Sequence, residues 1–179
     1  MEKVYKLNVA GCERDLPICK VNEHLDIAAF IMFGDVEVTV KSAEELLKRS
    51  PEHDIIISAE AKGIPLCYEM ARQSGKDYVI ARKGVKVYMT NPIKVEVKSI
   101  TTAEVQTLYL SEREAKKING KRVLIVDDVI STGASLKAIE ELVNKAGGNI
   151  VGKACVLAEG DATQRDDIIY LEKLPVFPK

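Results

Sequence analysis

Short continuous apolar runs alternate along this chain with segments whose apolar residues recur every three to four positions. Ile55-Ile56-Ile57, Tyr78-Val79-Ile80-Ala81 and Val123-Leu124-Ile125-Val126 are runs of the first kind, and Ile150 to Leu157 reads as another strand. Such runs are expected of strands buried on both faces of a parallel sheet. Ile168-Ile169-Tyr170-Leu171 offers a last one. The second kind comprises Leu66, Cys67, Met70 and Ala71, and then Leu136, Ile139, Leu142, Val143 and Ala146. That spacing is one face of a helix. Gly75 ends the first helix and Gly147-Gly148 the second, as left-handed caps do. Strand and helix in alternation imply an α/β fold: a mostly parallel central sheet flanked by helices. The whole of residues 1–179 is expected to form one domain.

The remaining segments read as follows. Asn22 caps a helix running to Phe33, with Leu25, Ala28, Ala29 and Met32 on one side. Val36, Val38 and Val40 alternate with Glu37 and Thr39, the period of a half-buried strand. Ser42 and Glu45 form a capping box for a helix that buries Leu46 and Leu47 and stops at Pro51. Residues 93–99 and 104–110 both alternate and read as an antiparallel pair. Ser111 with Glu114 is a second capping box, and Gly120 closes that short helix.

Hydrophobic residues make up 46% and charged residues 30%, and the net charge is −1. This balance fits an ordinary globular protein and gives no electrostatic reason to expect nucleic acid or membrane as a partner. Cys12, Cys19, Cys67 and Cys155 are scattered without a Cys-x-x-Cys pair, so they read as small core residues or free thiols in a reducing compartment. His24 and His53 lack metal-ligand spacing and are expected on the surface or at helix starts. No signal-peptide pattern and no stretch of membrane-helix length is present. The expected location is cytoplasmic.

The chemistry concentrates in residues 123–136, where a buried strand leads into Asp127-Asp128, then the small-residue loop Ile130-Ser131-Thr132-Gly133-Ala134-Ser135, then a helix. Such a loop turns several backbone N–H groups toward one anion, and the helix N-terminus adds a favourable dipole. The two aspartates repel phosphate but suit ribose hydroxyls or magnesium beside it. A diol and a phosphate together describe a ribose 5-phosphate. A response-regulator receiver also has paired acids after a strand, but needs most of a domain after them. A Walker-type loop needs a lysine that is missing here. Helix capping by Ser131 or Thr132 alone leaves the paired acids without a role.

This run resembles the phosphoribosyl pyrophosphate (PRPP) signature of type I phosphoribosyltransferases, two acids followed by a Thr-Gly loop. The likeness extends over roughly Arg14 to Glu159. Glu60-Ala61-Lys62-Gly63, after the Ile55 strand, resembles the pyrophosphate loop of adenine-type members. Arg82-Lys83 and Lys86 match their Arg-Lys-x-x-Lys run, with Val87-Tyr88 where Leu-Pro is usual. Arg14-Asp15-Leu16-Pro17 resembles an Arg-Asp-Ile-Thr-Pro stretch whose backbone helps seat the purine. Ser131 stands where hypoxanthine-guanine enzymes carry an acid, which favours adenine or xanthine. The Glu-Tyr pair of adenine-type flaps is absent near Thr101-Thr102, and Glu104 is displaced from it.

The resemblance implies a type I phosphoribosyltransferase fold with a flap and a small hood, and transfer of phosphoribosyl from PRPP to a purine, adenine favoured. Asp127 and Asp128 would hold ribose hydroxyls and magnesium, directly or through water, and Ile130 to Ser135 the 5-phosphate. Glu60 to Gly63, Arg82, Lys83 and Lys86 would meet pyrophosphate, and Arg14, Asp15 and Leu16 the base. The segment from Lys86 to Ala103 would close over the site. The family is commonly dimeric, so a homodimer is expected. The alternatives are xanthine, hypoxanthine-guanine or orotate transferases, or a PRPP-sensing regulator, which would carry a DNA-binding module before this core.

Overall fold

Every residue of Ile55–Ala59 is buried, and this strand lies inside a five-stranded parallel sheet. The computed structural model describes residues 3–98 and 105–179. In chain order the strands are β1 (Val4–Val9), β2 (Cys12–Asn22), β3 (Leu25–Ala28), β4 (Ile55–Ala59), β5 (Asp77–Ala81), β6 (Ile93–Lys98), β7 (Val105–Leu110), β8 (Arg122–Ile130), β9 (Asn149–Glu159), β10 (Ile169–Leu174) and β11 (Val176–Pro178). The helices are α1 (Val36–Arg49), α2 (Ile64–Ser74), α3 (Glu112–Ile118) and α4 (Ala134–Lys145), with a 3-10 turn over Gly160–Gln164.

The central sheet runs β10-β9-β8-β4-β5, and each of its pairings is parallel. Successive side chains of a strand face opposite sides. Ile55, Ile57, Val123 and Ile125 therefore pack with Leu136, Ile139, Leu142 and Val143 of α4. Ile56, Leu124 and Val126 pack on the other side with Leu46 of α1 and Leu66 and Met70 of α2. β6 and β7 form an antiparallel ribbon. It joins the sheet edge through the backbone of Arg82 and Tyr109, which exchange hydrogen bonds of 2.9 and 2.8 Å. A second, antiparallel sheet, β1-β2-β3-β11, draws on both ends of the chain. Its Leu7, Val9, Leu16 and Ala28 extend the second core.

The expected helix from Asn22 to Phe33 is absent. Asn22 Oδ1 instead accepts from the His24 backbone N–H at 2.8 Å, closing the turn between β2 and β3. The expected strand at Val36 to Val40 is the first turn of α1. Asp35 caps it, its side chain accepting from the Val38 N–H at 3.2 Å. The buried positions are Val38, Thr39, Ser42, Ala43 and Leu46, a helical spacing, while Val36 is 73% exposed. The valine alternation was thus coincidental. Ser42 is no cap but a fully buried residue inside α1. His53 is also buried, with Nδ1 2.9 Å from the Pro51 carbonyl. The Ser111–Glu114 capping box is present as expected. The expected last strand is β10, and β11 follows it unforeseen. Residues 99–104, including the end of the expected strand 93–99, Thr101-Thr102 and Glu104, lie outside the described residues, as does part of the expected closing segment.

Candidate active site

Three loops leave the carboxyl ends of β8, β4 and β5, where ligands collect in parallel sheets. The first begins inside β8. Asp128 is 3% exposed, and its backbone N–H donates to Asp127 Oδ1 at 2.9 Å. Burial first, and the adjacent Asp128 charge second, push the Asp127 carboxyl well above the usual carboxylate range. Asp128 Oδ2 is buried with no hydrogen-bond partner among the described residues, and Lys62 Nζ stands 3.5 Å from it. A strand has thus delivered two carboxyls to one place and left an acceptor open, at a cost burial normally forbids.

Beyond them the chain bends at Ser131 to Gly133 and enters α4. Gly133 occupies the N-cap with φ +78° and offers no side-chain cap. That backbone region disfavours other residues. The Ala134 N–H, first in α4, is 3.5 Å from Thr132 Oγ1, a long contact, and the N-cap itself supplies no side chain to the N–H groups that follow. The loop and this first turn line a cavity of about 60 Å³, together with Asp127. Ser135 Oγ donates to Gln106 Oε1 of β7 at 3.3 Å, so the ribbon touches this loop.

The second loop is Glu60 to Gly63, with a cis peptide between Glu60 and Ala61. Gly63 lies against Asp127. A Cβ there would fall 2.3 Å from Ser58 Oγ and 3.0 Å from Asp127 Oδ1. The third loop follows β5. Glu60 accepts from Arg82 Nε and from the Lys83 backbone N–H, the latter at 2.8 Å. Arg82 Nη1 also donates to the Tyr88 hydroxyl at 2.7 Å. Glu60 and Arg82, both expected at pyrophosphate, are therefore the clamp between the second and third loops. Lys83 is exposed and Lys86 half-buried beside them.

Arg14, Asp15 and Leu16 are not brought to these loops. Arg14 donates to Asp35 at 2.7 and 3.0 Å and to Glu37 at 2.9 Å. Asp15 pairs with Lys6 at 3.2 Å, and Leu16 is buried in the second core. Arg14 and Asp15 line a cavity of about 440 Å³ along β1 and β2, to which none of the three loops contributes.

Two residues near the site were missed from the sequence. Glu159 ends β9 half-buried, and burial raises its carboxyl while Lys62 opposes the shift. Arg165 approaches the first loop, its Nη1 2.9 Å from where a Cβ on Gly133 would lie. The available signal for Glu159 was its place at a strand's carboxyl end. Nothing local marked Arg165.

Known proteins resemble the chain as follows. The family described as "Phosphoribosyl transferase domain" matches residues 37–176. An adenine phosphoribosyltransferase of Petrotoga mobilis is 32% identical over 154 residues, covering 79% of this chain and 84% of that protein. A hypoxanthine/guanine phosphoribosyltransferase of Methanococcus voltae is 38% identical over 112 residues, covering 63% of this chain and 56% of that one. The crystal structure of adenine phosphoribosyltransferase from Thermoanaerobacter pseudethanolicus superposes with a TM-score of 0.68 at 25% identity, over 79% of this chain and 84% of that one.

Proposed function

The chain belongs to the phosphoribosyl transferase family, and we propose that it transfers the phosphoribosyl group of PRPP to a purine, adenine preferred, releasing pyrophosphate. One observation carries this reading. An acid pair in β8 runs directly into a helix start whose N-cap is a glycine without a side-chain cap. Diol recognition and phosphate recognition thus sit a few residues apart.

Residues 130–135 would seat the 5-phosphate through backbone N–H groups and the α4 dipole. Asp127 and Asp128 would orient the ribose hydroxyls. Their two carboxyls, one with an unpartnered buried oxygen, suit magnesium, which takes one or two carboxylates and completes its shell with water and substrate phosphates. When bound, directly or through water, it would offset charge on the departing diphosphate. Lys62, Lys83, Lys86 and the backbone of residues 60–63 would hold that diphosphate, with Glu60 and Arg82 fixing the two loops against each other. A base nitrogen would attack C1 as the C1–oxygen bond breaks, the bond's electron pair leaving with pyrophosphate and the imidazole N–H proton of the base passing to solvent or to that pyrophosphate. Stabilising that leaving group dominates, with little acid–base work. The ribbon β6–β7 would exclude water, protecting PRPP from hydrolysis.

Ser131 cannot supply a negative charge near the imidazole side of a 6-oxopurine, which supports adenine. The Methanococcus voltae relative favours the second reading, hypoxanthine or guanine. A site that hydrogen-bonds one exocyclic group rejects the other strongly, because its own polar groups would be left unpaired. The reading extends to a homodimer in the cytoplasm. The exposed Val85, Val87 and Tyr88 suit an interface, and the free thiols suit a reducing compartment.

Pyrophosphate release from PRPP, measured with adenine, hypoxanthine, guanine, xanthine and orotate in turn, tests the assignment. Adenine is expected to lead by a wide margin in kcat/KM. A clear preference for another base overturns the adenine assignment, and no release with any base overturns the transfer itself.

A further inference from the structure

The phosphate loop, residues 129–136, contains no lysine or arginine. A phosphate monoester carries between one and two negative charges at neutral pH, and here it would sit beside Asp127 and Asp128. Backbone N–H groups supply hydrogen bonds and partial charge, but no full positive charge to offset that neighbourhood. The structure brings a cation from elsewhere in the chain. Arg165 follows the 3-10 turn after β9, and its Nη1 lies 2.9 Å from the Cβ position of Gly133.

We propose that Arg165 is a phosphate-binding residue, its Nη1 edge donating to the 5-phosphate from outside the loop. The inference rests on the reading of residues 130–135 as the 5-phosphate loop. The guanidinium is already held in place for this task. Nε and Nη2 grip the two oxygens of Asp167 at 2.8 and 2.7 Å. The Nη1 edge makes no hydrogen bond among the described residues. Asp167 also accepts from Lys153 Nζ at 2.7 Å, and the same ammonium reaches Glu140 Oε1 at 2.6 Å. Glu140 belongs to α4, the helix whose N-terminus forms the loop. The chain of ion pairs therefore ties the guanidinium to the element that carries its ligand. Arg165 and Lys153 hold the Asp167 carboxyl well below the usual carboxylate range, so the anchor stays charged at any working pH. A side chain held in advance loses little freedom when the phosphate arrives. Gly133 fits the same picture, since a side chain there would occupy the space of the guanidinium.

The test compares ribose 5-phosphate and pyrophosphate as separate probes by calorimetry on wild type, Arg165→Gln and Arg165→Lys. Arg165→Gln is expected to weaken ribose 5-phosphate roughly 10- to 100-fold, the scale of one charge-assisted hydrogen bond, and to leave pyrophosphate within about twofold. AMP should lose affinity in the same proportion while adenosine does not. Arg165→Lys keeps the charge without the fork and should fall between. Equal affinity of wild type and Arg165→Gln for ribose 5-phosphate overturns the role of Arg165 and leaves the loop reading standing. Parallel losses for both probes mark Arg165 as merely structural and overturn the proposal too. Failure of wild type to bind ribose 5-phosphate overturns the loop reading and this inference together. If Arg165→Gln does not fold, Arg165→Lys decides: a selective loss for ribose 5-phosphate supports the proposal, and unchanged or parallel affinities overturn it.

Discussion

The carboxyl ends of the parallel sheet and the antiparallel sheet β1-β2-β3-β11 are built on opposite plans. At the sheet ends the inner strands β4 and β8 are packed from both faces, and the loops that leave the sheet touch one another: Gly63 against Asp127, Glu60 against Arg82. The antiparallel sheet buries one face, with Leu7, Val9 and Leu16, and turns Lys6, Asp15 and Lys20 outward. The ion pairs from Arg14 to Asp35 and Glu37 join it to the start of α1. Backbone geometry shared by any such sheet positions the first region's chemistry, so little there can vary. The second is a half-exposed panel whose face can change without moving the acids. Damage to the first should therefore remove phosphoribosyl chemistry with little loss of stability, and damage to the second should do the reverse.

The strongest way to break this contrast is Asp127→Asn with Asp128→Asn. Loss of both charges from a dry site should cost several kcal/mol of transition-state stabilisation, on the order of a thousandfold or more in kcat/KM for PRPP. Thermal stability should hold or rise. The raised Asp127 value means its ionised form is disfavoured in the folded protein, so a neutral amide removes repulsion and a burial cost. Steady-state kinetics and a melting curve on one preparation check both halves. Near-normal turnover would sink the site assignment, and a large drop in Tm would sink the separation of chemistry from stability.

Gly63→Val sharpens the comparison by asking how tightly the two loops are joined. Any side chain at Gly63 collides with Ser58 Oγ and presses on Asp127. Overpacking of this kind costs about 1–3 kcal/mol. Because Ser58 must move and Asp127 is pressed beside it, kcat/KM for PRPP should fall along with Tm. Full activity in a destabilised variant would show that the acid pair tolerates movement of the second loop.

The two regions also differ in how much of them can be read from sequence. β4 and β8 announce themselves as apolar runs because both faces are buried, β5 and β9 as shorter runs with a partly exposed or charged position, Tyr78 and Lys153, and α4 by its helical spacing. The strand-to-loop junctions at Asp127, Glu60 and Arg82 come with them. The antiparallel sheet gives no such signal. β3 has only four residues, and Leu25-Asp26-Ile27-Ala28 fits a helix as readily as a strand. β11 pairs with β3 from the far end of the chain. Arg14 entered as a base-binding candidate through the likeness of Arg14-Asp15-Leu16-Pro17 to a family stretch, and its side-chain partners, Asp35 and Glu37, lie more than twenty positions away. Arg165 was hidden for the same reason: the β8–β9 pairing carries that part of the chain to the loop. Local pattern reveals what is local, and these contacts are not.

On the antiparallel side the expected effects are smaller. Asp35→Ala removes the N-cap of α1 and the partner of Arg14 together. Loss of such a cap costs about 1 kcal/mol, up to about 2, and kcat for the preferred base should stay close to wild type. Denaturant unfolding and initial rates measure the two. A large loss of PRPP turnover would show that this sheet reaches further into the chemistry than its contacts indicate.

Asp35→Asn gives the smallest effect and separates the cap from the charge. Asparagine caps a helix about as well as aspartate, so what remains is the loss of the Arg14 pair and its charge. Arg14 holds the Asp35 carboxyl below its ordinary value. A carboxyl whose folded pKa is depressed stabilises the fold fully above its unfolded pKa, about 3.9 for aspartate. That stabilisation is lost as pH falls through the lower, folded value. The variant should therefore melt slightly below wild type at pH 7, by less than Asp35→Ala does. The gap should stay constant down to about pH 4, near the unfolded aspartate value, and then close as wild-type Asp35 takes up its proton. Tm at a series of pH values for the two proteins checks this. A gap that stays open in acid would mean that the carboxylate pair is not what joins the antiparallel sheet to α1.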